Sequence, residues 1–118
     1  MQPLLRTGTG KDLEMERDLP KELTAPSLLE GARDVMRERG AVYGHPWINH
    51  KRIADLWTAY LGFPIQPDQV ALCMALVKVS RLSETWGAKA EDSYMDICAY
   101  VAIAGQLSTT DPNEFDAY

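Results

Sequence analysis

The chain has 118 residues, of which 46% are hydrophobic and 25% are charged, and its formal net charge at pH 7 is −5. This length suits a single domain, and the hydrophobic fraction is large enough to build a core, which argues against a wholly disordered chain. No basic face is evident, so binding to duplex nucleic acid by counterion release is not expected.

The negative charge is unevenly distributed. Residues 27–107 carry eight Lys/Arg and nine Asp/Glu, a balance of −1, whereas residues 1–26 contribute −1 and residues 108–118 contribute −3. The longest apolar runs are far shorter than the ~20 residues that cross a bilayer, and no apolar segment of a signal peptide follows Met1. We therefore expect a cytoplasmic protein that has no membrane partner and keeps Cys73 and Cys98 as reduced thiols.

The first part of the chain divides into an arm and a helix. Residues 1–26 contain glycines, prolines and weak periodicity, which indicate a flexible or partner-packing arm. Ser27-Leu-Leu-Glu30 matches a capping box, and Gly40 is a suitable stop, so the pattern predicts a helix over residues 28–39. Near its end, Glu38 belongs either to a solvated face or to a site.

A dense group of polar and aromatic residues follows this helix. Gly44 permits a tight turn and Pro46 suits the first position of a second helix, which Gly62 ends. The free amides at a helix N-terminus favour a nearby anion such as phosphate. In the alternative reading, the aromatic residues only pack a corner between helices. The candidate binding residues in this stretch are Tyr43, His45, Trp47, Asn49 and Arg52.

Two more helices are predicted, over residues 67–83 and 91–107. The third is apolar nearly all round, which is typical of a central helix, and it carries Lys78 and Arg81 near its end. These cations either complement the helix dipole or bind a phosphoryl or carboxylate group. The fourth opens with Asp92 and Asp96, whose spacing suits either capping or a shared cation. The polar residues 108–118 predict a mobile acidic tail.

These residues together resemble a family of small bacteriophage and prophage proteins of unknown function, over about residues 27–107. The residues that carry the resemblance are Tyr43-Gly-His-Pro46, Asn49, Arg52-Ile-Ala54, Leu56-Trp57, Val70-Ala71, Lys78, Arg81-Leu82, Asp92-Ser93, Asp96-Ile97 and Tyr100. More remotely, the helix order is similar to that of MazG-like all-α nucleoside triphosphate pyrophosphohydrolases. That likeness implies magnesium held by carboxylates from two helices, and assembly into dimers or larger oligomers.

The chain departs from the pattern of those enzymes at two places. In those enzymes, the helix before the one with the aspartate pair carries a pair of glutamates. The second helix of this chain carries Asn49, Arg52 and Asp55 instead. Asp92 and Asp96 are spaced by four residues instead of three, and only Glu38 or Asp55 is placed to complete a carboxylate cluster.

We therefore predict an all-α, four-helix bundle-like domain over residues 27–107 that is oligomeric. Its predicted function is that of a phage-type protein acting on a nucleotide or another phosphorylated small molecule in the host cytoplasm. One form is a magnesium-dependent pyrophosphohydrolase, with Glu38, Asp92 and Asp96 as catalytic residues and the two aspartates as metal ligands. The alternative is a non-catalytic nucleotide-binding or host-protein-interacting module. In either case the predicted ligand-binding residues are Tyr43, His45, Trp47, Asn49, Arg52, Lys78 and Arg81.

Overall fold

The computed structural model describes residues 22–115, so residues 1–21 of the predicted arm and residues 116–118 of the predicted tail lie outside it. Four α-helices make up most of the described chain: α1 (Ala25–Tyr43), α2 (Pro46–Leu61), α3 (Pro67–Arg81) and α4 (Glu91–Leu107). Two single-turn 3₁₀ helices, Gly87–Ala90 and Pro112–Phe115, precede and follow α4. Residues 22–115 contain no strand, and the predicted all-α fold is confirmed.

Helix α1 is longer at both ends than the sequence predicts. Thr24, and not Ser27, is its N-cap, because the Thr24 hydroxyl accepts a hydrogen bond from the Ser27 backbone N–H at 3.3 Å. At the other end the helix runs through Gly40, since a glycine inside a helix costs only about 1 kcal/mol. It stops at Gly44, whose φ of 78° and ψ of −154° lie in a region that only glycine enters readily.

The other three helices lie close to their predicted positions. Helix α2 begins at Pro46 and ends before Gly62, which adopts the left-handed conformation with φ 83°. Helix α3 begins at Pro67, where the Gln69 side chain accepts from the Gln66 backbone N–H at 2.8 Å, and it ends at Arg81, two residues before the predicted end. Helix α4 spans its predicted residues. Pro46, Gly62 and Pro67 therefore mark both ends of α2 and the start of α3 correctly.

Small side chains hold the helices together. Helices α3 and α4 share the largest interface, while α1 packs mainly on α4 and α2 packs mainly on α3. Alanines fill much of the space between them, and among the large hydrophobic side chains of residues 22–115 only Val70 is fully buried. Such a core lets helix axes approach closely but buries little apolar area per residue. The most deeply buried alanines are Ala32, Ala54, Ala71, Ala90 and Ala99.

One large aromatic residue anchors the end of the bundle near the bend between α1 and α2. Trp47 is buried in a cluster with Ile103 and Leu107 of α4. Phe115 packs against this cluster, with its ring centroid 6.2 Å from that of Trp47 and 4.7 Å from that of His45. Residues 108–115 are thus attached to the domain, while the division into arm, domain and tail stays a prediction.

Many large hydrophobic side chains remain at the surface. The exposed set includes Leu56 and Tyr60 of α2 and the α3 residues Leu72, Leu76, Val77 and Val79. Tyr60 is the most exposed, at 89%. None of the described helices is both long and apolar enough to span a membrane. Cys73 and Cys98 are both unpaired, as predicted.

The two glycines at the end of α1 provide a test of its boundary. Replacing Gly40 with alanine should raise the free energy of unfolding by about 0.5–1 kcal/mol, because the site is helical and a Cβ there meets no atom within 4 Å. Replacing Gly44 with alanine should lower it by about 1–3 kcal/mol, since its backbone conformation is strained for any other residue. Urea denaturation of both variants measures this, and equal effects would contradict the observed helix end.

Candidate functional site

A cleft of about 440 Å³ opens where the end of α1, the start of α2 and the second half of α4 meet. Its apolar wall consists of Met36, Ile53, Met74 and Ile103. This volume falls within the range of about 300–1,000 Å³ that is usual for small-molecule sites. The polar side chains that line it are Arg39, Tyr43, Asn49, His50, Tyr100 and Gln106.

The bend between α1 and α2 forms one side of the cleft. Gly44 reverses the chain, and His45 then caps α2, with Nδ1 accepting from the Trp47 backbone N–H at 3.0 Å. The other ring nitrogen of His45, Nε2, lies 3.4 Å from Gln106 Nε2 on α4. The bend is therefore tied to α4, and it brings Tyr43 and Asn49 to the same cleft.

Arg39 of α1 is held in place by two residues of α4. Its Nη1 donates to the Tyr100 hydroxyl at 3.0 Å, and its guanidinium carbon lies 5.4 Å from the centroid of the Tyr100 ring. Its Nη2 lies 3.5 Å from Asp96 Oδ1. The Arg39 side chain is still 39% exposed, so N–H groups remain available to a ligand.

Asp96 joins Arg39 to a second cation. Its Oδ2 lies 3.0 Å from Lys78 Nζ, and the Lys78 and Asp96 side chains are only 14% and 16% exposed. Two cations therefore share one carboxylate, which leaves one excess positive charge beside the cleft. Salt screens such partly buried charges less than exposed ones.

His50 is the most deeply buried polar residue of the cleft. Only 5% of it is exposed, and its Nδ1 lies 2.8 Å from the Pro46 carbonyl oxygen one turn earlier in α2. Burial lowers the pKa of His50 from its ordinary value, an effect that the hydrogen bond to Pro46 partly opposes. Burial thus favours the neutral form of the imidazole.

The structure brings some of the predicted site residues together and separates others. Tyr43 and Asn49 line the cleft, and Lys78 and Asp96 are joined to it through Arg39. His45 and Trp47 serve the local fold, as a helix cap and a buried ring, which matches the helix-corner reading. The remaining four are exposed and do not line the cleft: Glu38, Arg52, Arg81 and Asp92.

The carboxylates do not form a convincing magnesium site. Both oxygens of Asp96 face cations, which would repel a metal ion, and Asp55 pairs with Lys51 on the exposed side of α2. Within residues 22–115 no group of three or more His, Cys, Asp or Glu is placed to hold a metal ion. The assignment of Asp92 and Asp96 as metal ligands stays a prediction.

Four polar residues of the cleft were not among the predicted site residues: Arg39, His50, Tyr100 and Gln106. His50 shares a helix face with Trp47 and Ala54 in the sequence, and a histidine on an apolar face is a signal of a buried, partnered ring. Arg39 directly precedes Gly40, where the sequence predicts that the helix ends. That predicted end gave no indication that the Arg39 side chain lines the cleft. Nothing in the local sequence indicates that Tyr100 and Arg39 meet, because they are 61 residues apart.

The two aspartates at the start of α4 should behave differently on substitution. Asp96→Asn removes a carboxylate shared by two cations and should lower the free energy of unfolding by roughly 1–3 kcal/mol. Asp92→Asn is the matched control, because this side chain is exposed and should change stability by no more than about 0.5 kcal/mol. Thermal and chemical denaturation compare the two, and equal losses would show that Asp96 is not the linking residue.

Comparison with known proteins places the chain among phage proteins. Over 91 residues it is 31% identical to the Gene 55 protein of Mycobacterium phage L5, covering 75% of this chain and 57% of that protein. Over 82 residues it is 39% identical to the Gene 55 protein of Mycobacterium phage D29, covering 69% and 53%. The chain thus spans little more than half the length of these relatives. No solved structure matches it, and the remote likeness to MazG-like enzymes stays a prediction. A domain of unknown function, DUF6378, matches residues 27–108, so the chain belongs to that family, as its resemblance to small phage proteins of unknown function predicted.

Proposed function

We propose that this phage-type protein binds a nucleotide, or a closely similar phosphorylated small molecule, in the cleft between α1, α2 and α4. Binding takes place in the cytoplasm of the infected host and leaves the ligand intact. The observation that carries this proposal is Arg39, a cation that two α4 residues hold at the edge of an apolar-walled cleft of suitable volume.

Arg39 suits a phosphate group for two reasons. A guanidinium has five N–H donors in a fixed planar arrangement, so it can hold Tyr100 and Asp96 and still donate to phosphate oxygens. Since the side chain is already ordered by these contacts, ligand binding loses less side-chain entropy. The excess positive charge of the Arg39, Asp96 and Lys78 group adds to the attraction.

The rest of the cleft suits a planar ring. Tyr43 is 67% exposed at the cleft and offers an aromatic face to which a base can stack. Met36, Ile53 and Met74 supply apolar contacts, and methionine adapts readily to flat ligands. Asn49 lines the same wall with a side-chain amide that can both donate and accept hydrogen bonds.

Binding without turnover is favoured over hydrolysis by the state of Asp96. A pyrophosphohydrolase of the kind that the resemblance implies uses a cluster of carboxylates to hold magnesium, whereas Asp96 is already neutralised by Arg39 and Lys78. Magnesium-dependent hydrolysis is the outcome that would replace this proposal.

Replacement of Arg39 tests the site. Arg39→Gln should weaken nucleotide binding about 10-fold to 100-fold, because a charge-assisted contact to phosphate is worth roughly 1.5–3 kcal/mol. The measurement is isothermal titration with a panel of nucleoside mono-, di- and triphosphates, each with magnesium and with a chelator. Chromatography of the recovered ligand shows whether it is unchanged, and a melting curve confirms that the variant is folded.

Arg81→Gln is the matched control, since Arg81 is an exposed cation of the same chain that does not line the cleft. Its affinity should equal that of the unaltered protein. Loss of affinity in Arg81→Gln alone would move the site to the end of α3. Absence of binding to the whole panel, or cleavage of a triphosphate with magnesium, would contradict the proposal.

We also propose that a second copy of the chain covers the exposed apolar side chains of α2 and α3. A stable interface buries about 800 Å² on each partner. One face of α3, a helix about 22 Å long, cannot supply this area alone. The proposed contact surface therefore includes Leu56 and Tyr60 of α2 as well as Leu72 and Leu76 of α3. Large apolar side chains exposed in such number are typical of surfaces that another protein covers.

Leu76→Arg should convert the oligomer to a monomer, because it places a charge among apolar side chains at the proposed contact. Size-exclusion chromatography with light scattering measures the mass. The control is Leu29→Arg, a change at a similarly exposed leucine of α1 that should leave the mass unaltered. If the unaltered protein is already a monomer, the second copy is rejected and a host protein becomes the better candidate partner.

A further inference from the structure

One hydrogen bond fixes the proton arrangement of His50. Its Nδ1 lies 2.8 Å from the carbonyl oxygen of Pro46, and a carbonyl oxygen can only accept a hydrogen bond. Nδ1 must therefore carry the hydrogen. In the neutral imidazole that leaves Nε2 with a lone pair and no hydrogen, so Nε2 is an acceptor.

The acceptor is not sealed inside the protein. His50 is 5% exposed and lines the cleft, and its Nε2 has no hydrogen-bond partner among the described residues. No buried side-chain nitrogen or oxygen within residues 22–115 is left both sealed from solvent and unpartnered. Nε2 therefore keeps contact with solvent, and the cleft that His50 lines is where a ligand would reach it.

Tyr100 links this acceptor to the phosphate-binding side. Its hydroxyl accepts from Arg39 at 3.0 Å, and its ring meets the His50 ring edge-on with centroids 6.5 Å apart. Arg39 and His50 thus flank one tyrosine from α1 and α2. A nucleotide has the same order of groups, with an anionic phosphate at one end and hydrogen-bonding base atoms at the other.

We propose that His50 determines which nucleotide the cleft accepts: its Nε2 takes a hydrogen bond from the amino group of an adenine, cytosine or guanine base. This inference rests on the proposed nucleotide binding and adds the class of base. Asn49, the preceding residue on the same cleft wall, supplies an amide for the ring nitrogen or carbonyl beside that amino group. A ligand without a donor at this position leaves a nearly buried acceptor unpaired, which is costly.

Matched nucleotide pairs test the assignment on the unaltered protein. Each pair differs by one amino group: adenosine monophosphate against purine riboside monophosphate, guanosine monophosphate against inosine monophosphate, and cytidine monophosphate against its analogue lacking the 4-amino group. In the pair whose amino form binds most tightly, isothermal titration should show about 10-fold weaker binding when the amino group is absent.

The same titrations with His50→Phe test whether His50 is the residue that distinguishes the two nucleotides of a pair. This variant keeps a ring of similar size but has no acceptor, so the two members of the pair should bind equally, and a melting curve checks that it is folded. Because the main comparison uses the unaltered protein, an unfolded variant does not remove the test. His50→Gln, which retains an acceptor oxygen, should restore part of the preference.

The outcomes separate this inference from the proposed function. Nucleotide binding that depends on Arg39 but ignores the amino group in every pair overturns the role of His50 and leaves the proposed function standing. A preference that persists in His50→Phe likewise assigns it to another residue. If no nucleotide binds at all, the proposed function fails, and the base assignment fails with it.

Discussion

Asp96 is the residue through which three helices are connected. It sits on α4, and its two oxygens reach Lys78 of α3 and Arg39 of α1. The side chains of Lys78 and Asp96 are mostly removed from water, so each would be costly to leave alone in this position. The shared carboxylate adds a polar link from α4 to both α1 and α3, beside the packing of their small side chains. It also sets the direction of Arg39, and the chemical character of the cleft depends on that direction.

The core is thin because alanine fills so many of its positions. Close approach of α3 to α4 through Ala71, Ala75 and Ala99 places backbone atoms near each other but leaves little large apolar area to bury. The larger side chains of α2 and α3 consequently point outward, where only another surface can remove them from water. In this fold, the alanine-rich core accounts both for the close helix packing inside and for the apolar side chains outside.

Sequence patterns located the helices well because proline and glycine mark their ends through backbone geometry alone. Pro46, Pro67 and Gly62 lie where the predicted boundaries are. The predicted helix end at Gly40 was wrong because a single glycine lowers helix stability too little to end a helix that the next three residues can continue. The helix end at Gly62 depends on a left-handed φ, which is a local property, so the sequence reveals it.

The cleft was less accessible to sequence reasoning because its residues meet only after the helices pack. The pair Arg39 and Tyr100 and the pair Lys78 and Asp96 each join different helices, and no spacing along the chain reports such contacts. Of the residues that the sequence singles out at the polar bend, Tyr43 and Asn49 line the cleft, and their role as ligand-binding residues stays a prediction. Trp47 is different. Its size and position made it a candidate for stacking on a base, but in the structure its ring is buried in the core cluster.

The contact between Phe115 and the bend links the last described residue to the start of α2. The Phe115 ring lies tilted against His45, the residue that caps α2, and stacks on Trp47 two residues later. The stretch after α4 therefore acts as a brace on the loop that shapes the cleft entrance, although Phe115 lines none of it. A substitution that shortens the Phe115 side chain would therefore uncover the two rings at the start of α2, although it changes no residue of the cleft itself.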